Sequence, residues 1–233
     1  ARLDLAARRL SDPMERRRAA FLRAQLRAAE TRLLMMQGTR FAFADEAERL
    51  FGVRPRLLPL ASYDGALAKV AALVPGNGDL ATRVEAYLDR FTIPKERLQK
   101  VFDAAIARCR GRSAAHIPMP AGESFRLEFV TGKSWSGYNY YQGGYHSLIQ
   151  VNTDLPIRLS RALDLGCHEG YPGHHVQGIY KEKNFRTRGW AEYSVQPLYA
   201  PESPLNEGGA DFGVKLAFPG DEQVKFEAEV LYP

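Results

Sequence analysis

Hydrophobic residues spaced three and four positions apart dominate the first half of the chain and predict a series of helices. The clearest covers residues 14–37, which follow the start signal Ser11-Asp12-Pro13 and stop at Gly38. Its apolar stripe predicts a face buried in an ordinary core, formed by Phe21, Leu22, Leu26, Ala29, Leu33 and Met36. The same spacing predicts helices over residues 2–9, 45–51, 62–74, 79–91 and 94–110.

The pattern changes after Pro120. Residues 124–130 alternate between apolar and polar side chains and predict a strand, and residues 145–152 predict a second one. The segment between them is rich in glycine and aromatic residues, and its Gly143-Gly144 pair is typical of a hairpin turn. We therefore expect a mainly α fold with a small β-sheet (α+β). A helical scaffold over residues 1–120 would precede the portion with the candidate chemistry, residues 121–233.

The candidate chemistry lies where a predicted helix, residues 159–169, meets the sequence Cys-His-Glu-Gly-Tyr-Pro-Gly-His-His-Val-Gln of residues 167–177. Zinc hydrolases use three protein ligands and leave the fourth position for water, and a nearby carboxylate takes a proton from that water. The common helical form of such a site is H-E-x-x-H. Here His168-Glu169 supplies its first half, but Pro172 stands where the second histidine belongs.

A regular helix cannot bring a second histidine to His168. His174 would be rotated about 120° away from it, and His175 would lie about 10 Å further along the axis. An irregular turn over residues 170–173 would remove this obstacle, because Pro172 has no N–H to donate and Gly173 accepts most backbone conformations. The alternative is that Pro-Gly only stops the helix and that the histidines lie on the surface.

The motif resembles the signature of the DUF885 family, bacterial zincin-like proteins of unknown function that are related to gluzincin metallopeptidases. The similarity extends over about residues 125–233. It implies a mostly helical, zincin-like fold and a peptidase-type site that binds Zn²⁺. It also implies that His174 is the second ligand, whereas the spacing alone leaves His175 as a rival.

A second acidic pattern lies downstream, where Glu207 and Asp211 are four residues apart and share one face of a predicted helix. This spacing resembles the downstream element of glutamate-ligand zincins, in which the glutamate binds zinc and the aspartate orients a ligand histidine. Gly208 and Gly209 reduce helix propensity, which would be explained if another backbone approached closely. The alternative is a polar helix start, with Asn206 as its cap.

These observations combine into one expected site. His168, His174 and Glu207 would hold Zn²⁺, and Glu169 would act as the general base. Asp211 and His175 would support the ligands from the second shell, while Tyr145 and His146 are candidates to polarise the substrate carbonyl. In zincin-like enzymes an edge strand also binds an extended peptide by strand addition.

Three other functions are also compatible with the sequence. One is a metal-binding protein without catalytic activity, and another is a hydrolase of non-peptide amides or esters. The third is a basic helical binding module without metal, since the net charge is +5. The arginines are spread along the chain, however, which favours solvated helix faces over a nucleic-acid surface. The expected partner is therefore a peptide or a small amide.

No stretch is long and apolar enough to suggest a membrane helix, and no signal peptide is recognisable. The compartment stays open, with the cytoplasm as the default, and both ends suggest a piece of a longer protein. Cys109 and Cys167 are too far apart in sequence to predict a disulfide framework. We expect Cys167 to be a buried thiol.

Overall fold

The computed structural model describes residues 2–232, with side chains from residue 3 onwards. The chain is mainly helical with one small sheet of mixed strands, which confirms that part of the predicted fold class. In the described residues the α-helices are α1 (Arg2–Ala7), α2 (Pro13–Met36), α3 (Phe43–Phe51), α4 (Asp64–Leu73), α5 (Leu80–Asp89), α6 (Leu98–Ala114), α7 (Leu159–Leu165), α8 (His174–Arg188), α9 (Ser203–Ala217) and α10 (Glu222–Phe226). The strands are β1 (Ser124–Val130), β2 (Gly137–Gly143) and β3 (His146–Asn152).

Contacts group the chain into two compact units, which differ from the predicted portions 1–120 and 121–233. Unit 1 comprises Ala1–Leu58 and Arg188–Glu207, and unit 2 comprises Pro59–Thr187 and Gly208–Pro233. No helix in residues 2–232 has the length and apolar character needed to cross a membrane.

Unit 1 is built around α2, whose start was predicted correctly. The Asp12 side chain accepts hydrogen bonds from the Met14 and Glu15 N–H groups and caps the helix. The predicted core stripe is wrong, however, because Leu26, Leu33 and Met36 are all more than half exposed.

The buried face of α2 is set by long-range partners instead. Its fully or nearly buried residues are small, Ala19, Ala28 and Thr31. On the same helix, Arg18 pairs with Glu192, Phe21 packs against Tyr193, and Arg32 lies over the Tyr199 ring. Packing with a segment some 170 residues away in sequence therefore determines the helix orientation, and no local spacing could reveal it.

Unit 2 contains the sheet, in the strand order β1-β3-β2. β3 is central, pairs in parallel with β1 and antiparallel with β2, and buries Ile149 and Val151. The hairpin turn predicted at Gly143-Gly144 is confirmed, since it joins β2 to β3 and both glycines have positive φ. β2 itself was not predicted, because its run of glycine, asparagine and tyrosine lacks the usual apolar alternation.

The core of unit 2 includes the end of α7, which leads directly into the motif. Phe102 and Ala105 of α6 pack in one buried cluster with Leu163 and Leu165 of α7. Val151 of β3 belongs to the same cluster, which joins helices and sheet in one core. The end of α7 is thus anchored before the chain reaches His168.

A disulfide joins Cys109 of α6 to Cys167, so the expectation of a free Cys167 thiol is wrong. Both cysteines are fully buried, as was expected for Cys167. The pairing follows from helix packing, because a Cβ on Gly166 would lie only 3.6 Å from the Ala105 Cβ. That contact brings together two residues separated by 58 positions, a proximity that the sequence did not reveal.

The disulfide should stabilise the fold. Closing a loop of this length restricts the unfolded chain by about 4 kcal/mol. We expect Cys109→Ala/Cys167→Ala to lower the free energy of unfolding by that amount, measured by urea denaturation. Reduction should weaken the parent protein to a similar extent and leave the double variant unchanged. Two free thiols in denatured, unreduced parent protein would contradict the assignment.

Candidate metal centre

The motif is an irregular link between two helices, as the sequence predicted for residues 170–173. α7 passes into a π-helical turn, Gly166–Gly170, and α8 begins at His174. The intervening residues bend through a cis Tyr171-Pro172 peptide, and the Gly173 N–H donates to the Cys167 carbonyl at 3.0 Å. The predicted helix over residues 159–169 is therefore α-helical only as far as Leu165.

Gly173 is required by a very close backbone approach. A Cβ at this position would lie 1.7 Å from the His168 carbonyl oxygen, well inside any allowed contact. Next to it, Pro172 packs on α9, where a Cβ on Gly213 would lie 2.9 Å from the proline ring. These two glycines allow the turn to close on itself and on α9.

The turn brings His174 back to His168. Their ring centroids are 4.7 Å apart, with the planes nearly perpendicular. One ligand atom from each histidine and one carboxylate oxygen of Glu207 all lie within 4.8 Å of one another. Ligand atoms around a tetrahedral zinc are about 3.4 Å apart, so the three donors are grouped near that spacing but are not held to it.

Glu207 is placed by α9. Asp211 lies one turn further along the same helix. Asp211 accepts a hydrogen bond from His168 Nδ1 at 2.9 Å. The shared face predicted for Glu207 and Asp211 is thus present, and it is turned towards His168.

Both histidines have a hydrogen-bond acceptor at Nδ1. Asp211 serves His168, and the Gln177 side-chain oxygen serves His174 at 3.0 Å. Because these acceptors require a proton on Nδ1, the lone pair of each neutral ring is on Nε2. Sequence reasoning gave Gln177 no role, although its position one helical turn after His174 could have suggested one.

His175 belongs to a different, buried cluster. Its ring is fully buried, with Nε2 3.0 Å from Glu123 and Nδ1 2.8 Å from the Ser147 hydroxyl. With both ring nitrogens engaged, His175 is not part of the His168–His174–Glu207 group. The geometry therefore favours His174 over His175 as the second ligand.

The pKa shifts in this buried cluster favour an ionised Glu123 and a neutral His175. Burial raises the pKa of Glu123, but hydrogen bonds from Tyr171, His175 and Arg110 outweigh it and lower that pKa overall. Burial lowers the pKa of His175. A neutral His175 facing an ionised Glu123 must carry its proton on Nε2, and Ser147 then donates to Nδ1.

Glu169, the predicted general base, lies in the π turn beneath β2. It is 5% exposed, and its carboxylate faces Gly137, where a Cβ would lie 3.1 Å from Oε1. Its backbone carbonyl accepts a hydrogen bond from the Asn139 side chain at 2.7 Å. β2 therefore covers Glu169. The catalytic role of Glu169 stays a prediction.

The structure places Tyr145 and His146 outside the His168–His174–Glu207 group. Tyr145 has positive φ in the hairpin turn, donates its N–H to Glu182 and lies beneath Arg186. Glu182 follows His174 by eight residues of α8, a distance of about 12 Å along the axis. His146 is exposed and hydrogen bonds to Ser124. Neither residue gains structural support for carbonyl polarisation.

The close backbone approach expected at Gly208 and Gly209 of α9 is not found there. A Cβ on Gly208 would have no neighbour within 4 Å, and one on Gly209 would approach only the Gln177 amide. The close approach is found at Gly213 instead, where Pro172 packs. No local feature of the sequence distinguishes these three glycines.

Comparison with protein families, with curated proteins and with solved structures finds no match for this chain. The resemblance to the DUF885 family therefore stays an expectation from the sequence.

The two kinds of glycine give a direct test of the turn. Gly173→Ala should destabilise the protein by about 4 kcal/mol or more, because the methyl group overlaps a backbone carbonyl. Gly208→Ala, at an open helical position beside Glu207, should stabilise it by up to about 1 kcal/mol. Urea unfolding of both variants measures the difference. Equal stabilities would mean that the close approach at Gly173 is absent.

Proposed function

We propose that this protein is a zinc-dependent hydrolase, with a peptide as the preferred substrate class. The observation that carries the proposal is the grouping of His168, His174 and Glu207, whose ligand atoms lie within 4.8 Å of one another. The hydrogen bonds at both Nδ1 atoms support it, because they fix the tautomer in which Nε2 of each ring carries the lone pair that a metal binds.

The ligand set fits zinc better than the hard cations. Two imidazoles and one carboxylate are the donors of a common type of catalytic zinc site, whereas calcium and magnesium prefer oxygen donors throughout. Three protein ligands also leave one tetrahedral position open. When bound, Zn²⁺ would supply the Lewis acidity that lowers the pKa of a water molecule to about 7.

The chain itself would supply proton transfer. Glu169 directly follows the ligand His168, and in this proposal its carboxylate accepts a proton from water and returns it to the leaving amine. Asp211 and Gln177 hold the ligand rings in one tautomer throughout. This arrangement resembles gluzincin peptidases, and a zincin-like architecture for residues 121–233 belongs to the same proposal.

β2 supports a peptide substrate. It is an edge strand of the sheet, and Gly137, Asn139 and Tyr141 on one face contact the helices of the motif. An extended peptide could add to this edge through main-chain hydrogen bonds, close to the proposed metal. Small amides and esters use the same chemistry and come second.

A metal-binding protein without catalytic activity is the alternative function. Its support is the burial of Glu169 beneath β2, since a general base must reach water. The two functions differ in the consequence of changing Glu169 and not in metal content.

Metal analysis tests the proposed ligands. We expect the purified, dialysed protein to bind one equivalent of Zn²⁺, and His168→Ala, His174→Ala and Glu207→Ala to reduce the affinity by at least 100-fold. His146→Ala, at an exposed histidine outside the cluster, should bind as the parent does. Unchanged zinc affinity in all three ligand variants would reject the site.

Glu169→Gln separates catalysis from binding. The amide keeps the size of the side chain but cannot accept a proton as a general base, so hydrolysis of a peptide library should fall by at least about 100-fold. Zinc content should stay at the parent level. A variant as active as the parent would refute the base role, and an inactive parent with bound zinc would favour the non-catalytic alternative.

A further inference from the structure

Glu123 is a buried carboxylate that belongs to neither the ligands nor the general base of the proposed site. It lies just before β1, and its side chain is 1% exposed. Its partners come from three separate parts of unit 2: α6, the turn after the π-helical segment, and α8. A carboxylate this deeply buried persists only when hydrogen bonds compensate for lost solvation.

The two oxygens of Glu123 have different roles. Oε1 accepts two hydrogen bonds from the Arg110 guanidinium, at 2.9 and 2.6 Å. Oε2 accepts one from the Tyr171 hydroxyl at 2.5 Å and one from His175 Nε2 at 3.0 Å. A single oxygen atom therefore holds two residues of the motif, while the other oxygen is anchored to α6.

Tyr171 and His175 bracket the three residues that reverse the chain, Pro172, Gly173 and His174. Because Tyr171 and His175 both hydrogen bond to Glu123 Oε2, the distance between these two ends of the turn is restricted. The Phe125 ring packs against both residues, with centroid distances of 5.3 Å to Tyr171 and 5.4 Å to His175. His174 therefore lies between two residues that are both hydrogen bonded to Glu123.

Stability alone is a poor explanation for such a group. Replacing a buried ion pair by well-packed apolar residues is often neutral or stabilising, whereas removing one partner is costly. A buried polar network can instead specify one geometry among several of similar energy. In this chain that geometry is the return of His174 to His168, with ring centroids 4.7 Å apart.

We propose that Glu123 is a positioning residue of the metal centre, which acts through Tyr171 and His175 to hold His174 at the distance from His168 that a shared metal requires. Glu123 does not touch the metal or the substrate. The inference goes beyond the proposed function by assigning a role outside the ligand shell, and it rests on that function because it presupposes a metal bound at His168, His174 and Glu207.

Two variants interrupt this link. Tyr171→Phe removes the hydrogen bond from the Tyr171 hydroxyl to Glu123 and keeps the ring. Glu123→Gln replaces the carboxylate by an amide of the same shape. We expect each to weaken Zn²⁺ binding by 10- to 100-fold, measured by competition with a chelating indicator. With Co²⁺ in place of zinc, the visible absorption bands should shift in position or intensity, because they report the arrangement of the ligands.

The controls separate positioning from general stability. Ser147→Ala removes a hydroxyl from the same buried cluster but leaves both bonds to Glu123 Oε2, so the Co²⁺ spectrum should stay close to that of the parent. Val101→Ala creates a core defect in α6 and should lower the unfolding temperature of the metal-free protein without changing the spectrum. A role in stability alone would make metal affinity follow the unfolding temperature across all four variants.

The outcomes distinguish a failure of the proposed function from a failure of the role proposed for Glu123. If the parent protein binds neither Zn²⁺ nor Co²⁺, the proposed function and this inference both fail. If the parent binds metal and Tyr171→Phe and Glu123→Gln bind it equally tightly with unchanged spectra, only the role of Glu123 is overturned. Should Glu123→Gln not fold, Tyr171→Phe alone decides, because it changes a single hydroxyl.

Discussion

The structure depends on one steric constraint, the passage of the Gly173 backbone against the His168 carbonyl, where even a methyl group has no room. This contact lets the chain reverse within residues 171–173 and start α8 directly beside the π turn. The chain lacks the H-E-x-x-H spacing, and the reversal instead brings together two histidines that are six positions apart in sequence. Without the reversal, His174 would point about 120° away from His168 on a continuous helix.

Three neighbours hold that reversal from different sides. The Cys109–Cys167 disulfide attaches the π turn to α6, and Pro172 seats on Gly213 of α9. β2 closes over the π turn, where Asn139 binds the Glu169 carbonyl. Because covalent, steric and hydrogen-bonding constraints act on the same few residues, the position of His168 is determined by the packing of unit 2 and not by the conformation of the motif alone.

Local signals in the sequence predicted the parts of the structure that are local. The Asp12 cap, strands β1 and β3 and the irregular turn at Pro172-Gly173 follow from the residues at those places, and the shared face of Glu207 and Asp211 follows from helical spacing. The missed features all depend on distant partners: the Cys109–Cys167 pairing, the buried face of α2 and the hydrogen bonds of Glu123. β2 is intermediate, since its tyrosines and glycines become strand-like only when β3 and the motif helices supply neighbours.

The two acidic residues around the turn show why burial decides what a carboxylate can do. The Asp211 side chain is 71% exposed, so its charge is screened by solvent, and its effect on His168 depends mainly on the direction of one hydrogen bond. That is sufficient to fix a tautomer. The Glu123 side chain is 1% exposed, and there every unmade hydrogen bond would be costly, so its partners are constrained in position as well as in protonation. An exposed carboxylate can thus orient a single ring, whereas only a buried one can restrain the backbone on both sides of His174.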